Sequence, residues 1–205
     1  MVTVGTSPNG NLGDFLRMAT VMRPGDVLVI PGNLGLVGYS WKVASERALV
    51  RYMSNKPWTL AVVEGDREPI YRLRSLPSIE RPEFTGATVG RIGNNVVTMN
   101  IGDPIHVLDD VVLPLSHYAP SMLPDTIEQP LTIVSCHSCN RLRTLLGMPL
   151  RDASTLDDIA PSVSGRTVRV WISGDIHTPS PVLDVDTGTY YMGMGRDGPP
   201  RVCSV

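Results

Sequence analysis

The stretch Val27-Leu28-Val29-Ile30-Pro31-Gly32-Asn33-Leu34-Gly35 decides the fold class of this chain. Its first four residues are apolar and mostly branched, and Pro-Gly follows at once, which predicts a strand that is buried on both faces and ends in a turn. In an open α/β sheet, ligands collect beyond the carboxyl ends of such strands, because loop backbone and polar side chains converge there. Asn33 is therefore expected at an edge where an enzyme would carry a catalytic acid.

Segments of strand and helix pattern follow one another along the whole chain. Strands are predicted at 2–4, 27–30, 59–64, 87–99 (a hairpin), 106–108, 111–115, 131–135, 168–173 and 182–192 (a hairpin), and helices at 12–22, 41–54, 70–76, 141–146 and 154–159. The side chains that the second helix would turn towards the sheet are Trp41, Ala44, Ala48 and Tyr52. No linker interrupts the pattern, so we expect a single α/β domain over 1–205, with two sheets and helices outside.

Composition excludes several classes of protein. The chain has 205 residues and a formal net charge of −2, so it has neither the basic surface of a nucleic-acid-binding protein nor a polybasic membrane patch. No apolar run reaches the roughly 20 residues that span a bilayer, and the N-terminus has no signal-peptide pattern. Three cysteines, an odd number, argue against a disulfide framework. We therefore expect a cytoplasmic protein without nucleic-acid or membrane partners.

Polar residues follow the ends of several predicted strands. These ends are Gly5, Gly32-Asn33, Gly65-Asp66, His137 and Gly174-Asp175-Ile176-His177. Parallel strands of one sheet bring their carboxyl ends to one edge, so these side chains are expected to meet there. Mixed aspartate, asparagine and histidine ligands suit a divalent ion such as Mn²⁺, Mg²⁺, Zn²⁺ or Fe²⁺.

The order and spacing of these strand ends resemble the calcineurin-like metallophosphoesterase family over nearly the whole chain. That family carries Asp-x-His, Gly-Asp, Gly-Asn-His-Glu/Asp, an isolated His and Gly-His-x-His, each after a strand. The resemblance implies a two-sheet β-sandwich flanked by α-helices. It also implies hydrolysis of phosphate esters by two cations, which hold the phosphate and activate a bridging water.

Each motif of the family has a counterpart here. The run 2–22 falls where Asp-x-His belongs, and Gly32-Asn33 stands for Gly-Asp. Gly65-Asp66-Arg67-Glu68 stands for Gly-Asn-His-Glu, and His137 for the isolated histidine. The last motif, Gly-His-x-His, corresponds to Gly174-Asp175-Ile176-His177. The resemblance therefore implies Asn33, Asp66, His137, Asp175 and His177 as the remaining metal ligands.

The departures from the family pattern affect the chemistry directly. Thr6-Ser7-Pro8-Asn9 offers no carboxylate and no imidazole, and Asn33 replaces the carboxylate that bridges the two metals. Arg67 stands where the family's catalytic histidine assists protonation of the leaving group, and a guanidinium cannot donate that proton at neutral pH. We therefore expect a pseudo-phosphoesterase, not an enzyme, with a degenerate dimetal centre. Its role would be to bind a partner protein or a small phosphate-containing ligand.

Two functional alternatives stay open. The first is a single-metal phosphoesterase, a hydrolase of phosphate mono- or diesters. Its one Mn, Zn, Mg or Fe ion would be held by Asn33, Asp66, His137 and Asp175, with His177 or Arg67 on the phosphate. The second is a sensor that binds a nucleotide or phosphate without chemistry.

Each candidate residue also has a purely structural explanation. Asp66 could cap a short helix or pair with an arginine, and Arg67 could fill the vacated metal position, since clustered carboxylates without a cation repel one another. Asp175 and His177 could be a hydrogen-bonded remnant of a metal site that holds no ion. Cys136-x-x-Cys139 lacks the further ligands that a zinc site needs.

Overall fold

The structure is a computed structural model that describes residues 1–37, 42–63, 65, 78–80, 84–85, 88–91, 95–98, 105–107, 111–113, 131–150, 162–163, 166–195 and 197–205. Within these residues the chain is a mixed α/β protein with two mixed sheets and few helices. The helices are α1 (Leu12–Ala19), α2 (Val43–Met53) and α3 (Asn140–Leu145).

The first sheet has seven strands in the order β15-β1-β2-β3-β7-β6-β4. Their bounds are β1 (Val2–Gly5), β2 (Val27–Ile30), β3 (Thr59–Val62), β4 (Ser78–Glu80), β6 (Thr88–Arg91), β7 (Val96–Thr98) and β15 (Val202–Ser204). Strands β1, β2, β3 and β7 are parallel to one another. The pairing of β6 with β7 is antiparallel, which confirms the hairpin predicted at 87–99.

The second sheet has eight strands, in the order β13-β14-β12-β10-β9-β8-β5 with β11 paired to β12. Their bounds are β5 (Phe84–Thr85), β8 (Ile105–Val107), β9 (Val111–Leu113), β10 (Leu131–Ser135), β11 (Ser162–Val163), β12 (Arg166–Ser173), β13 (Val182–Leu183) and β14 (Tyr190–Gly193). Strands β9, β10, β12 and β14 are parallel, and β13 and β14 form the predicted C-terminal hairpin.

Strand β2 is buried on both faces, as its sequence predicts. Val27 and Val29 belong to the core between the sheets, whereas Leu28 and Ile30 belong to a second core under the helices. The core between the sheets also contains Val2, Val4, Ala61, Val63, Val134, Ile172 and Met194. The helices contribute Phe15, Met18, Ala19, Leu49 and Met53 to the other core. The two sheets therefore pack face to face, and α1 and α2 cover the outer face of the first sheet.

The predicted inner face of α2 is confirmed at Tyr52, which packs against the core under the helices, and is wrong at its two alanines. Ala44 and Ala48 are exposed, while Leu49 and Met53 are the buried residues of this helix. Leu49 and Met53 are four residues apart and remove much more apolar surface from water than two alanines, so the helix turns this side inward. Helix α1 ends at Ala19, three residues before the predicted end.

The expectation that five strand ends share the edge of one sheet is also wrong. Strands β1, β2 and β3 belong to the first sheet, whereas β10 and β12 belong to the second. The two groups of ends still meet, because the loops after β2 and β12 touch. A Cβ atom on Gly174 would overlap the carbonyl of Pro31, and one on Gly32 would collide with the thiol of Cys136.

Several predictions concern segments outside the described residues. They include the helices at 70–76 and 154–159 and the residues Trp41, Asp66 and Arg67. Among the helices that the structure does describe, none has the length and apolar character needed to cross a membrane. The single domain and the cytoplasmic location stay predictions.

Candidate functional site at the strand ends

The loops that follow β1, β2, β10 and β12 meet where the two sheets touch. We call this region the junction and define it as residues 5–11, 31–35, 136–139 and 174–178. It holds four of the positions that the sequence singled out, namely Asn33, His137, Asp175 and His177. Asp66 and Arg67, the other two, lie outside the described residues, although Gly65 lies beside Gly32.

Ser7, in the loop after β1, contacts the loops that follow β2 and β12. Its side chain is buried, and its hydroxyl lies 2.8 Å from the carbonyl oxygen of Gly32 and 3.2 Å from that of Gly174. A serine hydroxyl has one proton, so these two acceptors share it. Gly32 follows β2 in the first sheet and Gly174 follows β12 in the second. A neutral side chain therefore joins the loops of opposite sheets.

The backbone of the first loop is paired with the loop after β2. The amide of Asn9 donates to Asn33 at 2.9 Å, and the amide of Gly10 donates to Leu34 at 2.8 Å. Asn9 and Asn33 have φ values of 48° and 55°, in the left-handed region that asparagine tolerates better than most residues. These positive φ values give a structural reason for asparagine at both positions.

Asp175 makes its described hydrogen bonds with the loop after β10. Its carboxylate accepts from the Ser138 amide at 2.8 Å and from the Ser138 hydroxyl at 3.1 Å. The Nδ1 atom of His137 lies 3.6 Å from the same carboxylate, and the histidine side chain is buried. Two neutral donors thus bind the carboxylate within the junction, and they tie the end of β12 to the end of β10.

His177 occupies the outer part of the same loop. Its backbone forms an isolated antiparallel bridge with Met194, and its ring lies directly against Gly198, where a Cβ atom would overlap the imidazole. Within the described part of the chain, its buried Nδ1 atom has no hydrogen-bond partner. The imidazole is therefore positioned by packing.

The described residues do not supply the ligands of a two-metal centre. Between residues 1 and 205, no three histidine, cysteine, aspartate or glutamate side chains in the described ranges lie together as a metal site would require. The first loop presents a hydroxyl whose proton is already shared by two carbonyls, where cation binding would need a carboxylate or imidazole. A dimetal centre does not fit these side chains.

The two cysteines of Cys136-x-x-Cys139 have different neighbours. Cys136 lies against Gly32, inside the junction. Cys139 lies beside the buried Tyr191, and burial together with this thiol raises the pKa of the tyrosine. Tyr191 stacks on Trp171, with ring centroids 6.3 Å apart. The spacing of the cysteines is therefore explained by packing on both sides of the loop.

Sequence reasoning missed residues that position the junction. Ser135 accepts from the Trp171 indole at 2.8 Å and donates to the carbonyl of His137 at 2.7 Å. Arg201 donates through its guanidinium to the carbonyls of Thr178 and Gly193. The Ser135–Trp171 and Arg201–Thr178 contacts join residues 36 and 23 positions apart, so no local pattern indicates them. The serine of Gly5-Thr6-Ser7, at a predicted strand end, was the one available signal.

No protein-family model, no curated protein and no solved structure matches this chain. The residues of the junction are therefore the basis for a function.

Proposed function

We propose that this chain is a calcineurin-like metallophosphoesterase that has lost its dimetal centre and now acts by binding a partner protein or a small phosphate-containing ligand. The observation that carries the proposal is the bond of the Ser7 hydroxyl to Gly32 and Gly174. Ser7-Pro8-Asn9 has the spacing of the family's Asp-x-His. At that point the chain has a neutral side chain that is already committed to two backbone carbonyls.

The architecture supports the family part of the proposal. The chain has two packed mixed sheets, helices over one of them, and polar residues after β2, β10 and β12 in the order of the family's motifs. Fold similarity alone does not establish activity, so the functional part depends on the side chains.

The loss of two-metal hydrolysis follows from charge. Two cations close together need anionic ligands between them, and the family's bridging carboxylate is here the neutral amide of Asn33. Asp175, the carboxylate described in the junction, accepts two hydrogen bonds from Ser138. Within the described residues of the junction, Asp175 is the one carboxylate, which is too little negative charge to hold a cation pair.

Elemental analysis of the purified protein after loading with Mn²⁺ or Zn²⁺ tests this proposal. We expect less than one metal ion per chain and no Mn²⁺-dependent hydrolysis of a generic phosphodiester. The control is an Asp66→Ala variant. Hydrolysis that needs Mn²⁺ and disappears in that variant would overturn the proposal.

The second candidate function is the single-metal phosphoesterase. The observation that favours it is the pair of His137 and Asp175, an imidazole and a carboxylate 3.6 Å apart in the junction. With Asp66 and Asn33 they would make four ligands of the kinds that divalent ions bind. One tightly bound ion per chain, lost in His137→Ala and retained in His177→Ala, is the result that this alternative requires.

The ligand part of the proposal has its own test. A ligand that binds the folded state raises the melting temperature, by an amount that grows with its concentration over its dissociation constant. We expect at least one nucleotide or phosphorylated compound in a thermal-shift screen to stabilise the protein in EDTA. If none does so, the small-ligand form is rejected and a partner protein is left.

A further inference from the structure

The hydroxyl of Ser7 has a structural role that the loss of metal ligands does not by itself explain. It contacts one carbonyl from each sheet, at 2.8 Å for Gly32 and 3.2 Å for Gly174, and its side chain is buried. We call these two contacts the Ser7 bridge. The amide of Ser7 also donates to Met194 at 3.1 Å, so the residue is held in place by the backbone beyond β14.

The Ser7 amide, which donates to Met194 beyond β14, also crosses from the first sheet to the second. Two other sets of hydrogen bonds in the junction join strand ends of one sheet. The amides of Asn9 and Gly10 connect the ends of β1 and β2, both in the first sheet. The Asp175 carboxylate connects the ends of β12 and β10, both in the second. The Ser7 bridge differs from these contacts because its acceptors belong to different sheets.

We propose that the Ser7 bridge holds the two sheets together at the junction and takes over the role that a pair of cations would have between the same strand ends. This inference rests on the proposed function, since it presupposes that the cations have been lost. It implies that the shape of the junction, and any ligand binding there, is independent of divalent ions.

Amide hydrogen exchange on the full-length protein tests the bridge in two ways. In the wild-type chain we expect the amides of Ser7, Asn9, Gly10 and Gly174 to exchange at the same rate in EDTA as with added Mn²⁺. In Ser7→Ala, both carbonyls lose this donor, so we expect protection at these amides to fall about tenfold. Thr189→Val is the matched control, because Thr189 is equally buried and its hydroxyl donates to Val168 at 2.8 Å, within the second sheet.

The outcomes separate the bridge from the proposed function. Protection that falls in EDTA in the wild-type chain would overturn the bridge, and this measurement holds even where Ser7→Ala does not fold. The bridge would also be overturned if Ser7→Ala folds and its junction amides exchange at the wild-type rate. The same holds if Thr189→Val lowers protection at these amides as much as Ser7→Ala does. Metal-dependent hydrolysis by a protein that passes both exchange tests would overturn the pseudoenzyme and the replacement of cations by Ser7. It would leave the Ser7 bridge only as a link between the two sheets.

Discussion

The junction has two sides: the loops 5–11 and 31–35 form the first, and the loops 136–139 and 174–178 form the second. Each side connects neighbouring strand ends, but the two sides do so with different chemical groups. On the first side, Ser7, Asn9 and Asn33 are neutral, and Ser7 and the backbone of the two loops make direct hydrogen bonds. On the second side, His137 and Asp175 keep ionisable groups, with the carboxylate bound to Ser138. Both sides connect strand ends in the region where the family resemblance implies metal ions.

Under the proposed function, this difference is how a metal site would be lost without loss of the fold. A neutral hydroxyl can be buried at little cost once it is hydrogen-bonded, whereas a buried carboxylate needs a cation or several donors. The first side is neutral, while Asp175 on the second side has the donors of Ser138. The described hydrogen bonds on each side therefore join protein groups to one another.

The largest expected effect comes from returning a carboxylate to the first side. Ser7→Asp would place a buried negative charge against the carbonyl oxygens of Gly32 and Gly174, where it would be repelled. We expect the free energy of unfolding in EDTA to fall by about 3 kcal/mol or more, the scale for an uncompensated buried charge. Urea denaturation measures it. Ser7→Asn introduces a neutral side chain of the same size as aspartate, so its free energy of unfolding should fall clearly less. Equal losses in the two variants would mean that the size of the side chain, and not its charge, causes the loss.

On the second side, removing the carboxylate should have a smaller but definite effect. Asp175→Ala leaves the buried amide and hydroxyl of Ser138 without this acceptor. Hydrogen bonds to a charged group contribute about 2 kcal/mol, so we expect a loss of that order in urea denaturation. Asp175→Asn keeps one oxygen for the amide and should recover part of it. A loss that appears only with divalent metal present would contradict the structure and favour the single-metal phosphoesterase.

Asp184 provides a carboxylate in the second sheet that is paired with a cation. Arg141 donates to both of its oxygens at 2.6 Å, and this lowers the pKa of Asp184 to about 2 from an ordinary 3.8. Because the folded pKa is the lower one, the contribution is complete above about pH 4 and is lost as the pH falls towards 2. The contribution is at most about 2 kcal/mol, at 1.36 kcal/mol per pKa unit, and solvent around the partly exposed Arg141 makes it smaller.

Urea denaturation between pH 2 and pH 6 checks this contribution against other acid-sensitive groups. We expect the stability of the wild-type chain to fall more steeply below about pH 4 than that of Arg141→Gln, in which Asp184 keeps only its bonds from Thr187 and the Asp186 amide. Parallel curves for the two proteins would show that the pair does not set the acid response.

The sequence predicted local features well and long-range ones poorly. The run Val27–Ile30 is buried on both faces, as four branched or apolar residues before Pro-Gly indicate. The predicted inner face of α2 was wrong at Ala44 and Ala48, because larger side chains of the same helix take the buried positions. The assignment of all strand ends to one sheet failed because spacing along the chain does not record which sheet a strand joins.

The candidate site was predictable as a set of positions but not as a set of contacts. Polar residues after strands point to Asn33, His137 and Asp175, which the structure places in one junction. The partner of Asp175 is the adjacent loop's Ser138, 37 residues away, and the partners of Ser7 are two backbone carbonyls. Backbone acceptors have no sequence signature, so the role of Ser7 required the folded chain.

The smallest predicted effect concerns the helix that follows the first side. The side chain of Asn11 accepts from the amide of Gly13 at 2.9 Å and from that of Asp14 at 3.3 Å, and so caps α1. Asn11→Ala should lower the free energy of unfolding by about 1 kcal/mol. Asn11→Asp should keep the cap but lose part of the stability, because the Asn11 amide also donates to the Asp14 carboxylate at 2.8 Å and an aspartate would repel that carboxylate. Urea denaturation of the three proteins measures both values.

This last pair of variants also sharpens the comparison between the two sides. Asn11 is exposed and Ser7 is buried, although only three residues separate them. If Asn11→Asp is tolerated while Ser7→Asp is not, burial at position 7, and not the electrostatic potential of the whole loop, is what disfavours a charged side chain there. A loss in Asn11→Asp as large as that in Ser7→Asp, beyond what repulsion from Asp14 explains, would instead indicate a negative potential over the entire loop. The neutrality of Ser7 would then have no special link to the absence of a metal.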